Sequence, residues 1–468
     1  MFKEESLLFY KDNIAIITDQ GDRVSYGELS VLSNELYRKI NHRCLVFCLC
    51  QNVVSSLVGY LSFLTHKVVP LLLDASLDKA LLKDLLSIYT PEYIWLPLEQ
   101  VSDFENVEIV YSQNDYALIK LKQNNSEINL HDELALLLTT SGSTGSPKLV
   151  RLSYDNVFSN AKSIAEYLSI DCNERPITSL PMNYSFGISI INSHLLQGAT
   201  LLLTNKSLME KEFWALLKNE KATSLSGVPY TYEMLKRLRF FRMDLPELKT
   251  LTQAGGKLNV ELTKEFAEYA SEKDKRFFVM YGQTEATARM SYLPCEEALS
   301  RAGSIGVAIP GGKFHLVDES KNEIVESEVV GELVYQGANV SLGYAENRND
   351  LAKGDENEGI LYTGDLAKRD ADGYYYIVGR KKRFIKLFGN RINLDETERL
   401  LKTLIVDCAC VGSDDKMTIY ITERGREEEI KHFISRKIGI NFNVFNVRYT
   451  DSIPKNSSGK TIYADLSI

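Results

Sequence analysis

A short segment rich in glycine and hydroxyl side chains, Thr139 to Lys148, constrains this chain more than any other feature. It lies between an apolar run, Leu134 to Leu138, that predicts a buried strand, and a helical pattern that begins near Val157. Such a loop brings backbone N–H groups and hydroxyls close to phosphate oxygens, and Lys148 adds a positive charge. The segment therefore predicts a site for a polyanion.

Two other interpretations of this segment are open on composition alone. Runs of serine, threonine and glycine are often flexible surface turns. A Walker A loop is a second possibility, but it requires a lysine directly after the last glycine of the motif. Here Ser146 and Pro147 separate Gly145 from Lys148, so that motif fails.

The rest of the chain predicts an α/β protein of at least two domains. A length of 468 residues exceeds a single ordinary core. Between Ile14 and Leu121, short apolar runs such as Leu45–Leu49 alternate with helical patterns such as Leu29–Ile40. This alternation indicates βαβ units, and hence parallel-rich sheets with flanking helices.

Charge, cysteine content and hydropathy limit the partners and the compartment. The formal net charge is −9, which argues against a nucleic acid as the main partner. The apolar runs are too short for a transmembrane segment, and the first residues lack the layout of a signal peptide. Seven cysteines without a framework spacing suit a reducing compartment, so we expect a cytoplasmic protein.

The order of residues in the loop resembles the signature of the AMP-forming acyl-adenylating enzymes. This superfamily includes acyl-CoA synthetases, carrier-protein ligases and luciferases, and its motifs occur in family order from Ser25 to Lys460. The resemblance implies a large N-terminal domain with a β subdomain, and a small mobile α+β C-terminal domain. It also implies that the loop binds ATP through Thr140, Ser141, Gly142, Ser143, Thr144, Gly145 and Lys148.

Two further motifs imply a slot for the adenine. In the family, the backbone at Gly255 and Gly256 passes flat against the purine, and Tyr281 covers its other face. Gly282 belongs to the same Tyr281–Glu285 motif, in which Thr284 would contact the α-phosphate. Glu285 is a hard oxygen ligand that suits Mg²⁺, and with Thr284 it is a candidate catalytic residue.

Residues between Leu180 and Gly187 imply the pocket for the carboxylic acid, although an aromatic cluster of this kind is more often core packing. The segment contains no aspartate that would hold an ammonium group, and an unpaired buried ammonium is costly. This favours a fatty or other non-amino acid. The candidate lining residues are Asn183, Tyr184, Phe186, Gly187, Gly227 and Gln283.

The C-terminal motifs imply a ribose site, a hinge and a catalytic lysine. Asp365 matches the residue that holds both ribose hydroxyls, and Arg380 matches one that contacts the ribose and phosphates. The predicted domains are residues 1–378 and 383–468, joined by a hinge at residues 379–382 that contains Lys382. Beyond the hinge, the resemblance assigns a thiol-approach loop and a lysine that bridges substrate and α-phosphate: Lys386, Phe388, Gly389 and Lys460.

Together, these motifs predict an ATP- and Mg²⁺-dependent acid–thiol ligase. It would form an acyl-adenylate, release pyrophosphate, and pass the acyl group to coenzyme A or to the phosphopantetheine of a carrier protein. An amino-acid–carrier-protein ligase of the D-alanine type is the nearest alternative. A non-catalytic nucleotide-binding homologue is another, and the motifs by themselves do not exclude a luciferase-like oxygenase. Neither the acid nor the oligomeric state follows from the sequence.

Overall fold

The computed structural model describes residues 8–122, 129–139, 148–387, 390–413, 416–438, 440–455 and 461–466. The chain divides into two compact units by its internal contacts. The first contains Met1–Lys313 and Tyr335–Leu361, and the second contains Phe314–Val334 and Tyr362–Ile468. The second unit thus includes residues 314–334 and 362–378, which lie before the domain boundary predicted from the sequence. The predicted division at residue 378 and the hinge at Lys382 stay predictions.

The described part of the first unit contains a nine-stranded sheet with a parallel centre and antiparallel edges. Its strands, in sheet order, are Val307–Ala308, Ser291–Leu293, Arg276–Tyr281, Thr250–Gln253, Ser224–Gly227, Pro176–Ile177, Leu201–Leu203, Ile14–Thr18 and Arg23–Ser25.

A second, eight-stranded sheet in the same unit has parallel strands at its centre, as far as the described residues show. All six residues of Leu45–Cys50 are buried, as expected for a strand covered on both faces. The strands, in sheet order, are Gly343–Ala345, Leu149–Ser153, Leu134–Thr139, Val69–Asp74, Leu45–Cys50, Tyr93–Pro97, Tyr116–Leu121 and Val107–Gln113.

Helices cover these sheets, and several begin at a polar cap that the sequence supplies. Ser25 accepts a hydrogen bond from the Glu28 N–H and Glu28 bonds back to Ser25, which completes a capping box. A buried apolar cluster includes residues of both sheets, among them Val46 and Leu201. The α-helices described in the first unit include Tyr26–Ile40, Val54–Thr65, Lys79–Tyr89, Tyr154–Tyr167, Ser185–Leu196, Lys211–Asn219, Pro229–Arg237 and Val260–Glu272.

The second unit is built from small sheets and two helices, Leu394–Leu401 and Glu427–Ile438, within its described residues. Its core contains Leu387, Ile419 and Ile434, all fully buried. A four-stranded sheet lies almost wholly in this unit, followed by a hairpin and a three-stranded sheet. These strands are Lys313–Val317, Gly331–Gln336, Ile360–Arg369 and Tyr375–Arg380; Phe384–Leu387 and Asn390–Asn393; and Cys408–Ser413, Lys416–Ile421 and Phe445–Tyr449.

The predicted α/β class is confirmed, and the strands and helices fall close to the predicted positions. The strand before the loop and the helix after it are both present, but one strand between them was not predicted. The strand Leu149–Ser153 pairs antiparallel with Leu134–Thr139, so residues 140–147 join two strands rather than a strand and a helix. The helix begins only at Tyr154, where Ser153 caps it. Across the described residues, none of the helices is long and apolar enough to cross a membrane.

Candidate active site

The candidate site residues of the first unit follow parallel strands of the nine-stranded sheet. Residues Ser224–Gly227, Thr250–Gln253 and Arg276–Tyr281 are neighbouring parallel strands, with Gly227 opposite Gln253 and Gln253 opposite Val279. The short strand Pro176–Ile177 also runs parallel to Ser224–Gly227. Because the carboxyl ends of parallel strands meet at one edge of a sheet, the motifs that follow them lie side by side.

The glycine pair lies against the aromatic residue of the predicted acid pocket. Gly255 has a φ of +82°, and a Cβ there would lie 2.6 Å from the Tyr184 hydroxyl oxygen, so only glycine fits. A Cβ at Gly256 would lie 3.1 Å from the side chain of Pro229. The Gln253 side-chain amide donates to the Gly256 carbonyl over 2.8 Å, which fixes the turn. An exposed glycine backbone of this kind permits close approach of a flat ring.

The motif from Tyr281 to Glu285 is a tight turn that its neighbours hold in place. A Cβ at Gly282 would lie 1.8 Å from the Ala288 carbonyl oxygen, so the two backbone segments are in direct contact. The Gln283 amide donates to the Tyr281 hydroxyl over 3.2 Å. The Thr284 hydroxyl donates to the Ser185 hydroxyl over 3.1 Å, which joins this turn to the start of the helix Ser185–Leu196.

A tyrosine that sequence reasoning missed connects the loop lysine with the candidate metal ligand. Tyr344 donates a hydrogen bond of 2.8 Å to Glu285 Oε1, and the Lys148 ammonium lies 3.5 Å from the centre of the Tyr344 ring. Burial and the nearby Glu285 carboxylate raise the pKa of Tyr344, so its phenol stays protonated and donates. A carboxylate oriented in this way is the type of oxygen ligand that Mg²⁺ takes. No motif in the sequence marks Tyr344.

Among the residues predicted to line the acid pocket, the aromatic residues pack against each other and the glycines pack closely against neighbouring chain segments. Tyr184 and Phe186 form an edge-to-face pair with ring centres 6.3 Å apart, and burial raises the pKa of Tyr184 to about 12. Asn183 is half-buried just before the helix. A Cβ at Gly187 would lie 2.0 Å from the Pro181 carbonyl oxygen, and one at Gly227 would lie 2.5 Å from Thr231. These two glycines therefore permit close packing of the chain.

In the second unit, the predicted ribose residues are paired with each other. Asp365 and Arg380 are opposite in register on adjacent antiparallel strands, and Arg380 Nε lies 3.1 Å from Asp365 Oδ1. The Asp365 side chain is 4% exposed and that of Arg380 is 63% exposed. Thr363 accepts from the Asp365 N–H, and Gly364 has a φ of +70°, which shapes the turn that presents the aspartate. The pair combines a buried acceptor with an exposed cation.

The residues after the predicted hinge are anchored by Arg383, an arginine that is largely but not fully buried. Arg383 Nε lies 2.7 Å from Asp395 and its Nη2 lies 2.6 Å from Glu398, while its guanidinium stacks on the Tyr463 ring at 3.7 Å. Glu398 also accepts a hydrogen bond of 2.9 Å from the Tyr463 hydroxyl. This cluster ties the start of the C-terminal module to the chain segment that follows Lys460.

Several predicted site residues lie outside the described part of the chain. Lys382 belongs to the short turn Lys381–Arg383 and Lys386 to the strand Phe384–Leu387, but their side chains are outside the description. The residues that fall outside it entirely are Thr140, Ser141, Gly142, Ser143, Thr144, Gly145, Phe388, Gly389 and Lys460. Their predicted roles stay predictions.

Comparison with known proteins agrees with the motifs. The sequence pattern of the family described as "AMP-binding enzyme" matches residues 4–345, which is most of the chain. The chain belongs to this family. One curated relative, Peroxisomal OPC-8:0-CoA ligase 1 of Arabidopsis thaliana, is 30% identical over 356 residues, or 72% of this chain and 64% of the relative. The chain therefore spans less than two thirds of that ligase.

Two further comparisons extend the similarity. The Luciferin 4-monooxygenase of Photuris pensylvanica is 28% identical over 381 residues, which cover 77% of this chain and 69% of the luciferase. The solved O-succinylbenzoate Coenzyme A Synthetase (MenE) from Bacillus subtilis, in complex with AMP, aligns with a TM-score of 0.81 at 20% identity. That alignment covers 99% of this chain and 97% of the synthetase, and it shows that the family fold extends over both units.

Proposed function

We propose that this protein activates a carboxylic acid with ATP and transfers the acyl group to a thiol. The acid would attack the α-phosphorus of ATP to form an acyl-adenylate and pyrophosphate, and the thiol would then displace AMP. The observation that carries the proposal is the shared sheet edge at which the glycine pair, the Tyr281–Glu285 turn and the aromatic pocket meet. A nucleotide, a metal ion and an acid would each find suitable groups there.

In the first step, the residues of this chain position two anions and compensate their charge. Gly255, Gly256 and Tyr281 would hold the adenine, and Asp365 with Arg380 would hold the ribose. Glu285, oriented by Tyr344, would be a ligand for Mg²⁺, which would supply positive charge at the phosphates when bound. Such a reaction needs positioning and electrostatic stabilisation and no protein nucleophile.

The remaining ATP contacts would come from three parts of the chain that the sequence motifs identify. The loop at residues 140–145 with Lys148 would hold the phosphates, and Gly282 and Thr284 would contribute at the α-phosphate. Lys460 would bridge the acid and the α-phosphate in this step, and it has to withdraw before a thiol can attack the same carbonyl. A rotation at Lys382 that brings Lys386, Phe388 and Gly389 to the site would achieve this.

For the substrate we favour a fatty or other non-amino acid, bound by Asn183, Tyr184, Phe186, Gly187, Gly227 and Gln283. Among the described residues, Tyr184 and Phe186 present rings rather than a carboxylate to this region, which gives an ammonium group no partner there. Coenzyme A is the preferred acceptor because the plant relative is named as a CoA ligase. A carrier protein, and an amino-acid ligase of the D-alanine type, remain the alternatives, and the cytoplasmic location stays a prediction.

The test is ATP–pyrophosphate exchange by the purified protein with fatty, aryl, hydroxy and amino acids. We expect exchange with a non-amino acid, and a loss of roughly 100-fold or more in Lys460→Ala and in Asp365→Ala. Lys264→Ala, which removes a surface lysine of the helix Val260–Glu272, is the matched control and is expected to keep full exchange.

Each negative outcome identifies a different error. Exchange that persists in Lys460→Ala would contradict the role of that lysine. Exchange restricted to amino acids would refute the substrate class and support the D-alanine type alternative. Failure of every acid, with ATP binding intact in a direct titration, would refute the proposed activity and favour a non-catalytic nucleotide-binding protein.

A further inference from the structure

Three potential metal ligands lie close together at the amino ends of two strands of the eight-stranded sheet. Cys44 directly precedes the strand Leu45–Cys50, and Glu92 directly precedes its parallel neighbour Tyr93–Pro97. His42 lies two residues before Cys44. The Cys44 Sγ, a ring nitrogen of His42 and a carboxylate oxygen of Glu92 all lie within 4.8 Å of one another. The cluster therefore surrounds one small volume with a sulfur, a nitrogen and an oxygen.

The histidine is held in the form that a metal ligand requires. Its Nδ1 lies 2.6 Å from the Ile40 carbonyl oxygen, which can only accept, so Nδ1 carries a proton and donates it. The other ring nitrogen, Nε2, lies 2.8 Å from Glu92 Oε2. Two acceptors at this distance repel each other unless a proton or a cation lies between them. A backbone carbonyl that fixes the histidine tautomer in this way is a usual outer contact of a metal-binding histidine.

The backbone around the cluster is fixed by hydrogen bonds. The Glu92 N–H donates to the Leu45 carbonyl oxygen over 3.1 Å, which ties the two strand starts together. Between His42 and Cys44, the Arg43 guanidinium donates to backbone carbonyl oxygens of three other segments, those of Lys67, His131 and Leu134. A metal ion would therefore meet positioned ligands and order little additional chain.

The charges around the cluster leave one carboxylate oxygen for a metal. Lys120 Nζ lies 3.3 Å from Glu92 Oε1, whereas His42 faces Oε2. Cys44 is buried, and burial raises the pKa of its thiol, so without a metal the sulfur keeps its proton. Coordination displaces such a proton into solvent. The Cys44 thiolate and the Glu92 carboxylate would then compensate the two charges of a divalent ion.

The mixed set of donors selects the ion. Mg²⁺ and Ca²⁺ take oxygen ligands, whereas Zn²⁺ takes cysteine sulfur, histidine nitrogen and carboxylate oxygen. Tetrahedral zinc holds its ligands at about 2.0–2.3 Å, so neighbouring donors are about 3.5 Å apart. The His42 side chain is 47% exposed, so it has room to adjust to these distances, and water can reach the fourth position.

We propose that His42, Cys44 and Glu92 form a zinc site with a water molecule as the fourth ligand. This site lies away from the predicted phosphate-binding loop. The loop follows the carboxyl end of Leu134–Thr139, which runs parallel to the central strands, whereas the three ligands lie at the amino ends of those strands. Strands of six residues span about 20 Å. The zinc would therefore stabilise the sheet and take no part in the activation of the acid.

The first experiment measures zinc binding by the purified protein. The protein is freed of metals with a chelator, and Zn²⁺ is then titrated in the presence of excess Mg²⁺, which occupies sites made of oxygen alone. We expect one Zn²⁺ per chain to bind and to raise the melting temperature, because the unfolded chain does not hold the ligands together. Co²⁺ in place of Zn²⁺ is expected to give the absorption band of a cobalt–thiolate bond, which reports on the sulfur ligand directly.

The second experiment changes the ligands one at a time. Cys44→Ala, His42→Gln and Glu92→Gln are each expected to weaken zinc binding by roughly 100-fold or more, and to remove the rise in melting temperature. The matched control is Cys172→Ala, because Cys172 is an exposed cysteine outside the cluster, and this variant is expected to bind zinc normally. Lys120→Gln removes the cation next to Glu92 and is expected to tighten zinc binding. Melting temperatures measured with the chelator present show which variants fold.

The outcomes separate a zinc site from an ordinary ion pair. If the unmodified protein binds no Zn²⁺, or if the three ligand variants bind it equally well, His42 and Glu92 form an ion pair only and the inference is overturned. If Cys44→Ala does not fold, His42→Gln and the cobalt–thiolate band decide, because His42 lies at the surface.

The inference goes beyond the proposed function and is tested separately from it. ATP–pyrophosphate exchange in Mg²⁺ is expected to be equal with one equivalent of Zn²⁺ and without it. A fall in exchange on removal of zinc would contradict the separation of the zinc site from the catalytic residues. An absence of exchange with every acid would count against the ligase function, and the zinc titration would be unaffected.

Discussion

Replacement of Gly282 by alanine tests whether the turn from Tyr281 to Glu285 is held by backbone contact. The φ of Gly282 is not in the left-handed region, so alanine strains the site only by its volume. Its Cβ would lie 1.8 Å from the Ala288 carbonyl oxygen and 2.9 Å from the Arg289 Cα. Ordinary contact begins at 3.4 Å, so two backbone segments have to move apart by about 1.6 Å.

This movement has two consequences of different size. Overpacking against backbone that cannot rotate away costs about 3 kcal/mol of unfolding free energy. A displacement of about 1 Å at Thr284 and Glu285 lowers exchange by roughly 100-fold, because both residues have to meet the phosphates in a fixed geometry. Urea unfolding measures the first effect, and ATP–pyrophosphate exchange at saturating substrates measures the second.

The matched control is a glycine whose added methyl meets no backbone. A Cβ at Gly354 would lie 3.5 Å from the His131 side chain, which is an ordinary contact, and its φ is not in the left-handed region. Gly354→Ala is therefore expected to leave both measurements unchanged. If Gly282→Ala has the same free energy of unfolding and the same exchange rate as the unmodified protein, the contact reasoning is wrong. If stability falls while exchange is kept, the turn does not position the phosphate-binding groups.

Three further changes have defined outcomes. Tyr344→Phe removes the donor to Glu285 and is expected to raise the Mg²⁺ concentration for half-maximal exchange by roughly 10-fold. An unchanged Mg²⁺ titration would show that Tyr344 does not support the metal site. Burial lowers the pKa of His194 from 6.5 to about 4. Because the unfolded state then binds a proton that the folded state does not, the free energy of unfolding is expected to fall by up to about 3 kcal/mol between pH 6.5 and pH 4. In His194→Gln, the free energy of unfolding measured in urea should depend less on pH in that range. Tyr463→Phe removes the hydrogen bond to Glu398 and is expected to lower the free energy of unfolding by about 1 kcal/mol. It is also expected to slow exchange, because Tyr463 closely follows the predicted catalytic lysine. Full exchange together with an unchanged free energy of unfolding would contradict both expectations.

Much of the fold could be predicted from the sequence because its elements have strong local patterns. The apolar runs at Leu45–Leu49 and Leu134–Leu138 form buried strands, and the pattern at Leu29–Ile40 forms a helix. The strand Leu149–Ser153 was not predicted. It is short and contains the fully buried Arg151, whose guanidinium donates to the backbone carbonyl oxygens of Leu342 and Tyr344. These partners lie far along the chain, so no local pattern signals them.

The residues of the candidate site also fall into two groups, those in contiguous motifs that the sequence reveals and isolated ones that only the fold brings together. Motifs such as Tyr281–Glu285 are contiguous, so their resemblance to the family's signatures predicts a nucleotide site, and the carboxylate of Glu285 suits a metal ion. Tyr344 and Arg289 are isolated in the sequence, and their importance depends on which side chains the fold brings to them. In the sequence, Arg289 stands out only as the single charged residue between Ala286 and Leu293.

The sequence by itself determined the family and the α/β class, and it predicted the residues that would meet the nucleotide, because these depend on short-range order and on the chemistry of single motifs. The tertiary structure decided how the motifs meet, because pairing between distant parallel strands brings their carboxyl ends to one edge. It also decided which charges lack a partner, because the compensation of a buried charge depends on every side chain around it. Arg151 and Arg289 are both buried arginines, and only the fold shows that the first faces Glu356 while the second has no carboxylate among its described neighbours.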